Sequence, residues 1–266
     1  MITDRLYRYL QPVPFLQRSL RHVVSRLPHR QRLVTHFGQR LWVDPSDLTG
    51  FYLYYEREYD DYIFEFLAPR LCQFARSLDI GANIGIYTLF LAARVPHLDA
   101  FEPEPIVRQR LKDNLALNGQ TNVAIHEVCV GEASGRITFM PPTKGNWGMG
   151  HISVDNRRGG VERTCICLDD FFQEPLSESC LIKMDIEGAE WFALQGARRV
   201  LSHPEVPLAI LVEVHPERIA AMGGSLEELR AILEGMGLRV RGLARQGLER
   251  VNAEHRFWWA ASHHCQ

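Results

Sequence analysis

The stretch Ser77–Tyr87, which reads Ser-Leu-Asp-Ile-Gly-Ala-Asn-Ile-Gly-Ile-Tyr, constrains the fold of this chain more than any other. Its pattern predicts a short buried strand, a tight glycine turn and the first turn of a helix. Gly81 and Gly85 give the backbone freedom and leave space where a ligand would come close. Glu102 follows Gly81 by 21 residues, a distance that suits an acid binding the ribose in a nucleotide-binding β-α-β unit. The alternative is a structural turn that binds nothing.

Strand-like and helical segments alternate along the chain, and residues 121–130 are predicted to form the third strand of the sheet. This order predicts a doubly wound, Rossmann-like α/β fold, in which a mostly parallel sheet carries helices on both faces. Right-handed crossovers put the carboxyl ends of the strands on one edge, and ligands bind where the strand order reverses. Five positions fall at such strand ends and are expected to line one cleft: Asp79, Glu102, Val130, Asp185 and Glu213.

The turn itself discriminates between nucleotides. A dinucleotide fingerprint, G-x-G-x-x-G, has glycine where the pyrophosphate meets the backbone. Aligned on Gly81, this chain has Asn83 and Ile86 at the second and third glycine positions, and it has no Gly-Lys-Ser/Thr of a P-loop. These residues argue against NAD, FAD and nucleoside triphosphates. The turn suits a nucleoside whose tail is an amino acid, which makes S-adenosylmethionine the expected cofactor.

The expected cofactor site joins the turn to two acids farther along the chain: Asp79, Gly81, Asn83, Gly85, Glu102 and Glu132. The two glycines would leave room for the amino-acid tail. Asp79 and nearby backbone N–H groups would meet its ammonium and carboxylate. Glu102 would accept hydrogen bonds from the ribose hydroxyls. Glu132 would accept one from the adenine amino group, or would be a solvated acid in a turn.

Residues 1–43 differ in character from the rest, because they contain eight arginines and one acid, Asp4. Apolar residues recur there at roughly helical spacing, interrupted by Pro12 and Pro14. Two interpretations stay open: a helix docked on its own domain, or a basic amphipathic arm in peripheral contact with anionic lipid. We predict that residues 1–50 form a basic helical extension with a strand, and that residues 51–266 form the main domain.

Composition excludes several classes of protein. With a net charge of −2, the whole molecule lacks the excess of basic residues typical of a nucleic-acid binder, so we expect no nucleic-acid partner. No apolar run approaches the ~20 residues that cross a membrane, and no cleavable signal peptide is recognisable. The six cysteines lack zinc-type paired spacing and are typical of a reducing compartment, so we expect a cytoplasmic protein.

Five segments, in this order, resemble the FkbM-like family of S-adenosylmethionine-dependent class I methyltransferases: Leu78–Thr88, Phe101–Pro103, Leu168–Phe171, Lys183–Glu190 and Glu213–His215. The first is common among class I methyltransferases, whereas Lys183–Glu190 is much more specific to this family. The resemblance covers about residues 50–245 and implies that residues 51–266 are a class I methyltransferase domain. It implies seven strands, the last one antiparallel near Phe257–Ala261. It also implies O-methylation of a small molecule or glycan, often at a sugar hydroxyl of a glycolipid or natural product.

Methyl transfer to a hydroxyl is an in-line displacement that needs alignment and the removal of one proton. His215 is the first choice for the general base, because its ordinary pKa is about 6.5. Alternatively, Glu213-Val214-His215 only caps the next helix. Asp185 and Glu187 border the acceptor side, and Asp185 is a candidate base, orienting group or metal ligand. Asp185 and Glu213 could chelate Mg²⁺ with substrate oxygens, although we do not favour a divalent metal.

Two neighbouring features bear on the same cleft. Lys183 lies two residues before Asp185 in a buried strand, which is typical of an ion pair with Asp185 or of a snorkelling structural lysine. The Gly- and Asn-rich loop of residues 144–150 contains Trp147. It is either a lid over a ligand or an ordinary hairpin tip.

Two rival functions remain at this point. A NAD-type Rossmann oxidoreductase is disfavoured by Asn83 and Ile86. A catalytically silent nucleoside-binding module would bind the cofactor without transferring its methyl group.

Overall fold

The computed structural model describes residues 30–143, 145–153, 159–202, 205–252 and 254–265. The helix expected before the first strand falls on residues 1–29 and lies outside these ranges. In the described residues, no helix is both long enough and apolar enough to span a membrane.

Strands and helices are numbered in chain order. The strands are β1 (Arg32–His36), β2 (Gln39–Val43), β3 (Arg76–Ile80), β4 (His97–Phe101), β5 (Val123–His126), β6 (Cys129–Val130), β7 (Gly135–Met140), β8 (His151–Ile152), β9 (Val161–Ile166), β10 (Cys180–Met184), β11 (Leu208–Glu213), β12 (Arg239–Ala244), β13 (Gly247–Glu249) and β14 (Phe257–Ala261). The helices are α1 (Leu48–Phe51), α2 (Asp61–Leu67), α3 (Ile86–Ala92), α4 (Pro105–Asn118), α5 (Leu168–Phe171), α6 (Glu190–Gln195), α7 (Arg198–Leu201), α8 (Pro216–Ala221) and α9 (Leu226–Gly235). Shorter π- and 3-10-helical turns cover Tyr52–Glu56, Ala68–Gln73 and Trp147–Met149.

Within the described residues, the main sheet has eight strands in the order β13-β12-β14-β11-β10-β3-β4-β5. Five neighbouring strands of this sheet, β11, β10, β3, β4 and β5, are parallel. The strand β14 lies between β11 and β12 and runs antiparallel to both. This topology confirms the doubly wound α/β fold and the antiparallel last strand at Phe257–Ala261. The expected count of seven strands is wrong by one, because the chain turns back after Ala244 and adds β13 at the edge.

The strand order reverses beside β3, the strand that leads into the glycine turn. The chain passes from β3 to β4 and β5 on one side, and from β10 to β11 on the other. In this topology a ligand binds in the crevice outside the carboxyl ends of β3 and β10. Both strands are buried along most of their length, as expected for strands covered by helices on both faces.

Each face of the main sheet buries one apolar cluster under helices. On one face, α2, α3 and α4 contribute Phe64, Phe90 and Leu111. On the other face, α6 and α9 contribute Leu194 and Leu233. The edge that carries the strand ends is left for ligands.

A smaller sheet in the described chain has the strand order β6-β9-β7-β8. The sequence pattern predicted one continuous strand over residues 121–130, but the structure divides it. β5 ends at His126 in the main sheet, whereas β6 pairs with β9 in the smaller sheet. The residues after Val130 therefore follow the smaller sheet.

The N-terminal hairpin of β1 and β2 packs against α4. Leu41 and Val43 of β2 are buried in the same apolar cluster as the main sheet. Asn118 of α4 binds the main chain of Arg40 through both its oxygen and its nitrogen. The described part of the N-terminal extension is thus packed into the core of the main domain.

Asn114 of α4 is the most buried link between this hairpin and the glycine turn. Its Oδ1 accepts a hydrogen bond from the Trp42 N–H at 2.8 Å, and its Nδ2 donates one to the Ile84 carbonyl at 2.8 Å.

Asn114→Ala leaves both partners unsatisfied, and we expect it to lower the free energy of unfolding by about 2–4 kcal/mol in urea denaturation. The control, Asn118→Ala, breaks similar bonds at a half-buried position and should cost about 1 kcal/mol. Equal losses in the two variants would contradict this difference.

Candidate active site

The glycine turn between β3 and α3 has a left-handed backbone conformation at Gly81, Asn83 and Gly85. A Cβ atom at position 81 would lie 1.9 Å from the carbonyl oxygen of Asp185, so the end of β10 excludes any side chain there. At position 85 a Cβ atom would lie 2.7 Å from Cδ1 of Leu111 on α4. Gly81 therefore borders the ligand edge, whereas Gly85 allows α3 to pack on α4 and lies away from the cavities described next.

A narrow cavity, here called the inner cavity, lies outside the carboxyl ends of β3 and β4. Glu102 faces it and is held in place by two main-chain groups: its carboxylate oxygens accept hydrogen bonds from the Asn83 and Glu104 N–H groups, each at 2.9 Å. Burial raises the pKa of Glu102 to about 7. The apolar walls of the inner cavity are formed by Ile80, Phe101, Val128, Val130, Phe139, Ile152 and Ile186. The cavity thus combines a carboxylate with flat apolar surfaces.

Asp79 and Lys183 lie beneath the glycine turn. The buried Asp79 accepts a hydrogen bond from the Thr88 hydroxyl at 2.6 Å, and its Oδ1 lies 3.4 Å from Lys183 Nζ. Lys183 donates to the Gly81 carbonyl at 3.1 Å and lies 3.6 Å from Asp185, so the predicted ion pair is present. Burial lowers the pKa of Lys183, but the two carboxylates outweigh burial and raise it. Asp79 therefore supports the turn from below, in place of the direct cofactor contact expected for it.

Glu132 stands apart from this arrangement. Its side chain is exposed and lines neither the inner cavity nor the cleft described below. The expected adenine contact assumed that the third strand of the main sheet runs to Val130, whereas that strand ends at His126. Because Glu132 follows β6 of the smaller sheet, it has the position of the solvated turn acid.

A wider cleft of about 960 Å³, here called the outer cleft, adjoins the inner cavity. Asp185, Glu187 and His215, the three expected catalytic residues, all line it. His215 Nε2 lies 3.3 Å from a carboxylate oxygen of Glu213, 3.6 Å from one of Glu187 and 4.0 Å from one of Asp185. Interaction with Glu213 and the other carboxylates outweighs burial and raises the pKa of His215.

Two arginines that sequence reasoning did not single out balance these carboxylates. Arg218 Nη1 lies 2.6 Å from Glu187, and Arg256 Nε donates a hydrogen bond to Glu213 at 2.6 Å. Burial raises the pKa of Glu213, but interaction with His215 and Arg256 brings it down to about 2. Glu213 is therefore a permanent anion behind the imidazole. The place of Arg256 in the cleft could have been predicted from its position directly before the last strand. The antiparallel register pairs Phe257 with Glu213, so the residue before Phe257 lies beside the end of β11.

Asp60 is a third residue of the outer cleft that the sequence did not reveal. It accepts a hydrogen bond from the Tyr87 hydroxyl at 3.2 Å, and its carboxylate lies 3.7 Å from Arg256. Burial raises the pKa of Asp60 to about 6. No local motif marks Asp60, because its place in the cleft depends on how α2 packs against the sheet.

Left-handed backbone at non-glycine residues concentrates around the outer cleft. Asp60, Asn83 and Glu187 have φ angles of 54°, 50° and 60°, and all three line the cleft. Such residues cost about 1–3 kcal/mol each and persist only where their surroundings fix them. Their concentration in one place is typical of a functional site.

The carboxylate cluster has the ligand types of a cation site. Single ligand atoms of Asp185, Glu187 and His215 lie within 4.8 Å of one another. However, Arg218 already pairs with Glu187, and Lys183 pairs with Asp185. These fixed cations supply positive charge to the cluster without a metal ion.

The inner cavity and the outer cleft meet at three residues that line both, Asn83, Gly148 and Asp185. A ligand in the inner cavity whose reactive group reached this junction would face the outer cleft beside Asp185. His215 and its carboxylates border the same cleft. The arrangement therefore suits transfer of a group between two ligands with removal of one proton.

Comparison with known proteins identifies methyltransferases as relatives of this chain. Residues 79–240 match the methyltransferase FkbM domain. Methyltransferase 1 of Beauveria bassiana is 29% identical over 141 residues, which cover 45% of this chain and 57% of that protein. Methyltransferase sdnD of Sordaria araneosa is 26% identical over 196 residues, which cover 61% of this chain and 73% of that protein. The chain thus spans little more than half the length of the first of these relatives.

A solved structure, methyltransferase FkbM from Methylobacillus flagellatus, aligns over 71% of this chain and 44% of its own, with 22% identity and a TM-score of 0.45. The segment that matches the FkbM domain spans more than half of this chain. It contains the glycine turn, Glu102, Lys183–Glu190 and Glu213–His215. The chain therefore belongs to the FkbM methyltransferase family.

Proposed function

We propose that this chain is an S-adenosylmethionine-dependent O-methyltransferase that acts on a hydroxyl of a sugar, glycan, glycolipid or natural product. One observation carries the proposal: the inner cavity and the outer cleft meet at Asp185, and a histidine surrounded by carboxylates borders the cleft. Membership of the family supports methyl transfer, and the junction of the two cavities is where we expect the methyl group to be transferred.

The residues that line the inner cavity have the chemistry that a nucleoside needs. Glu102 offers a carboxylate, already oriented by two N–H groups, to a pair of ribose hydroxyls. The apolar walls suit an adenine ring. Gly81 lines the inner cavity close to the junction and presents no side chain to a ligand. A Cβ atom at position 81 would collide with Asp185. S-adenosylmethionine, when bound, supplies an electrophilic methyl group on a sulfonium, which leaves as a neutral thioether.

The outer cleft provides what a hydroxyl acceptor needs. His215 would take the proton of the acceptor hydroxyl on its imidazole as the oxygen is methylated. Its Nε2 is buried against the carboxylates, so the proton would enter through the other ring nitrogen, Nδ1. Glu213 and Glu187, at 3.3 Å and 3.6 Å, stabilise the imidazolium that forms. Asp185, at the junction, orients the acceptor hydroxyl toward the methyl group.

The lining of the outer cleft favours a small polyhydroxylated acceptor over nucleic acid. Its arginines are engaged with acids: Arg218 with Glu187, Arg256 with Glu213, and Arg245 with Glu58. A phosphate backbone would find these cations already paired and would meet the carboxylates. Tyr52 and Tyr59 also line the cleft and offer the flat faces on which sugar rings pack.

Glu102 gives the first test of the cofactor assignment. Its ionised form accepts the ribose hydrogen bonds, and its pKa is raised to about 7. The affinity for S-adenosylhomocysteine, measured by calorimetry, should therefore fall about tenfold when the pH is lowered from 8 to 6. Glu102→Gln should bind more weakly at pH 8 and lose this pH dependence. An unchanged pH dependence in the variant would assign the titration to another group.

His215 gives the test of the reaction. The assay measures labelled methyl transfer from S-adenosylmethionine to glycans and small molecules of a native cell extract. The rate should rise with pH, with a midpoint above 6.5, because the base must be neutral and its pKa is raised. His215→Ala should lower the rate about 10²–10⁴-fold and leave the binding of S-adenosylhomocysteine intact.

The control is Glu217→Ala, which changes an exposed residue in the first turn of α8, the helix that follows His215. A normal rate in His215→Ala would remove this residue from the mechanism. Cofactor binding by the wild type without methyl transfer to any extract would instead support the non-catalytic nucleoside-binding module.

Removal of divalent metal ions with EDTA tests whether Arg218 and Lys183, rather than a metal, balance the carboxylates of the outer cleft. Because Arg218 and Lys183 already pair with Glu187 and Asp185, the rate of methyl transfer should be unchanged by EDTA and by added Mg²⁺. Loss of activity in EDTA that Mg²⁺ restores would show that the carboxylate cluster holds a metal.

A further inference from the structure

We propose that Asp47 is a positioning residue for cofactor binding, because it fixes the loop that closes one side of the inner cavity. The loop comprises residues 145–150 and is here called the Trp147 loop. The inference rests on the proposed function, which assigns the inner cavity to the nucleoside of S-adenosylmethionine.

Asp47 holds the main chain of the Trp147 loop. Its Oδ1 accepts a hydrogen bond from the Trp147 N–H at 2.7 Å, and the side chain is buried. Burial raises the pKa of Asp47, although the N–H groups of Trp147 and Gly50 and the charge of Arg110 act in the opposite direction. A buried carboxylate without such partners would be strongly destabilising. Asp47 is therefore bound into the loop rather than merely adjacent to it.

A second element holds the ring of the same tryptophan. The Arg110 guanidinium of α4 lies 5.0 Å from the centroid of the Trp147 ring, within the range of a cation–π contact. Arg110 and Asp47 also attract each other. The main chain and the side chain of Trp147 are thus fixed from two separate parts of the fold.

The Trp147 loop in turn shapes the ligand sites. Trp147, Gly148 and Gly150 line the inner cavity, and Gly148 also lines the outer cleft. A Cβ atom at position 148 would lie 3.0 Å from the side-chain nitrogen of Asn83, so the loop rests directly on the glycine turn. A shift of the loop would open the wall against which the nucleoside lies.

The segment that carries Asp47 also reaches the acceptor side. Leu48, Thr49 and Tyr52, in the residues that follow Asp47, line the outer cleft. One short segment therefore contacts the acceptor cleft with some residues and the wall of the cofactor cavity with another. Asp47 therefore lies in the segment that connects the lining of the outer cleft with the loop that lines the inner cavity.

Calorimetry with S-adenosylhomocysteine tests the inference on the full chain. Asp47→Ala removes the acceptor of the Trp147 N–H and should weaken binding at least tenfold. Asp47→Asn keeps an oxygen in the same place and should restore affinity to within a few fold of the wild type. The matched control is Asp44→Ala: Asp44 accepts hydrogen bonds from the main chain and hydroxyl of Ser46 in the same turn and lines neither cavity.

Hydrogen exchange at the Trp147 amide, compared with exchange at amides of the core strands, separates local loosening of the loop from loss of global stability. The Trp147 amide should exchange faster in Asp47→Ala than in Asp44→Ala when both are folded. Should Asp47→Ala not fold, Arg110→Gln removes the cation beside Trp147 from a helix surface, and it should weaken binding three- to tenfold.

The outcomes separate the two proposals. If the wild type does not bind S-adenosylhomocysteine, the proposed function fails. If the wild type binds and folded Asp47→Ala binds equally well, Asp47 does not position the wall of the inner cavity and this inference is overturned. If Asp47→Ala does not fold, equal binding by Arg110→Gln overturns it.

Discussion

The Lys183 ammonium lies between the two strands at whose ends the ligand cavities meet. It donates to the Gly81 carbonyl and lies within 3.6 Å of Asp79 on β3 and of Asp185 after β10. A buried charge without partners would cost several kcal/mol, and removing this one would leave two carboxylates uncompensated. The glycine turn, the inner cavity and the outer cleft keep their relative positions because one cation contacts the groups that border all of them.

Charges in the outer cleft are arranged before any substrate binds. Arg256 keeps Glu213 ionised, and Glu213 raises the proton affinity of His215. Fixed charges aimed at the place where charge develops need no reorganisation during the reaction. An imidazolium at His215 would therefore be stabilised by side chains that are already buried and ion-paired.

Local sequence patterns were enough to predict most of the fold and some of the residues that line the cavities. The glycine turn, Glu102, Asp185, Glu187 and His215 were predicted because each follows a recognisable strand. Glu132 was misplaced because a strand that looks continuous in sequence divides between two sheets after His126. Three residues of the outer cleft were missed because only tertiary packing or the register of distant strands brings them there: Asp60, Arg218 and Arg256.

The left-handed residues of the outer cleft have a consequence for the evolution of this protein. Asp60, Asn83 and Glu187 together withhold several kcal/mol from a net stability of about 5–15 kcal/mol. Glycine at position 60 or 187 would relax the backbone, but it would leave Arg256 or Arg218 without one of its carboxylate partners. Of the three positions, glycine at Asn83 alone would relax the backbone without unpairing a charge, and it would remove a side chain that lines both cavities. Selection for heat resistance alone would therefore act first on Asn83, and it would alter the junction where the two cavities meet.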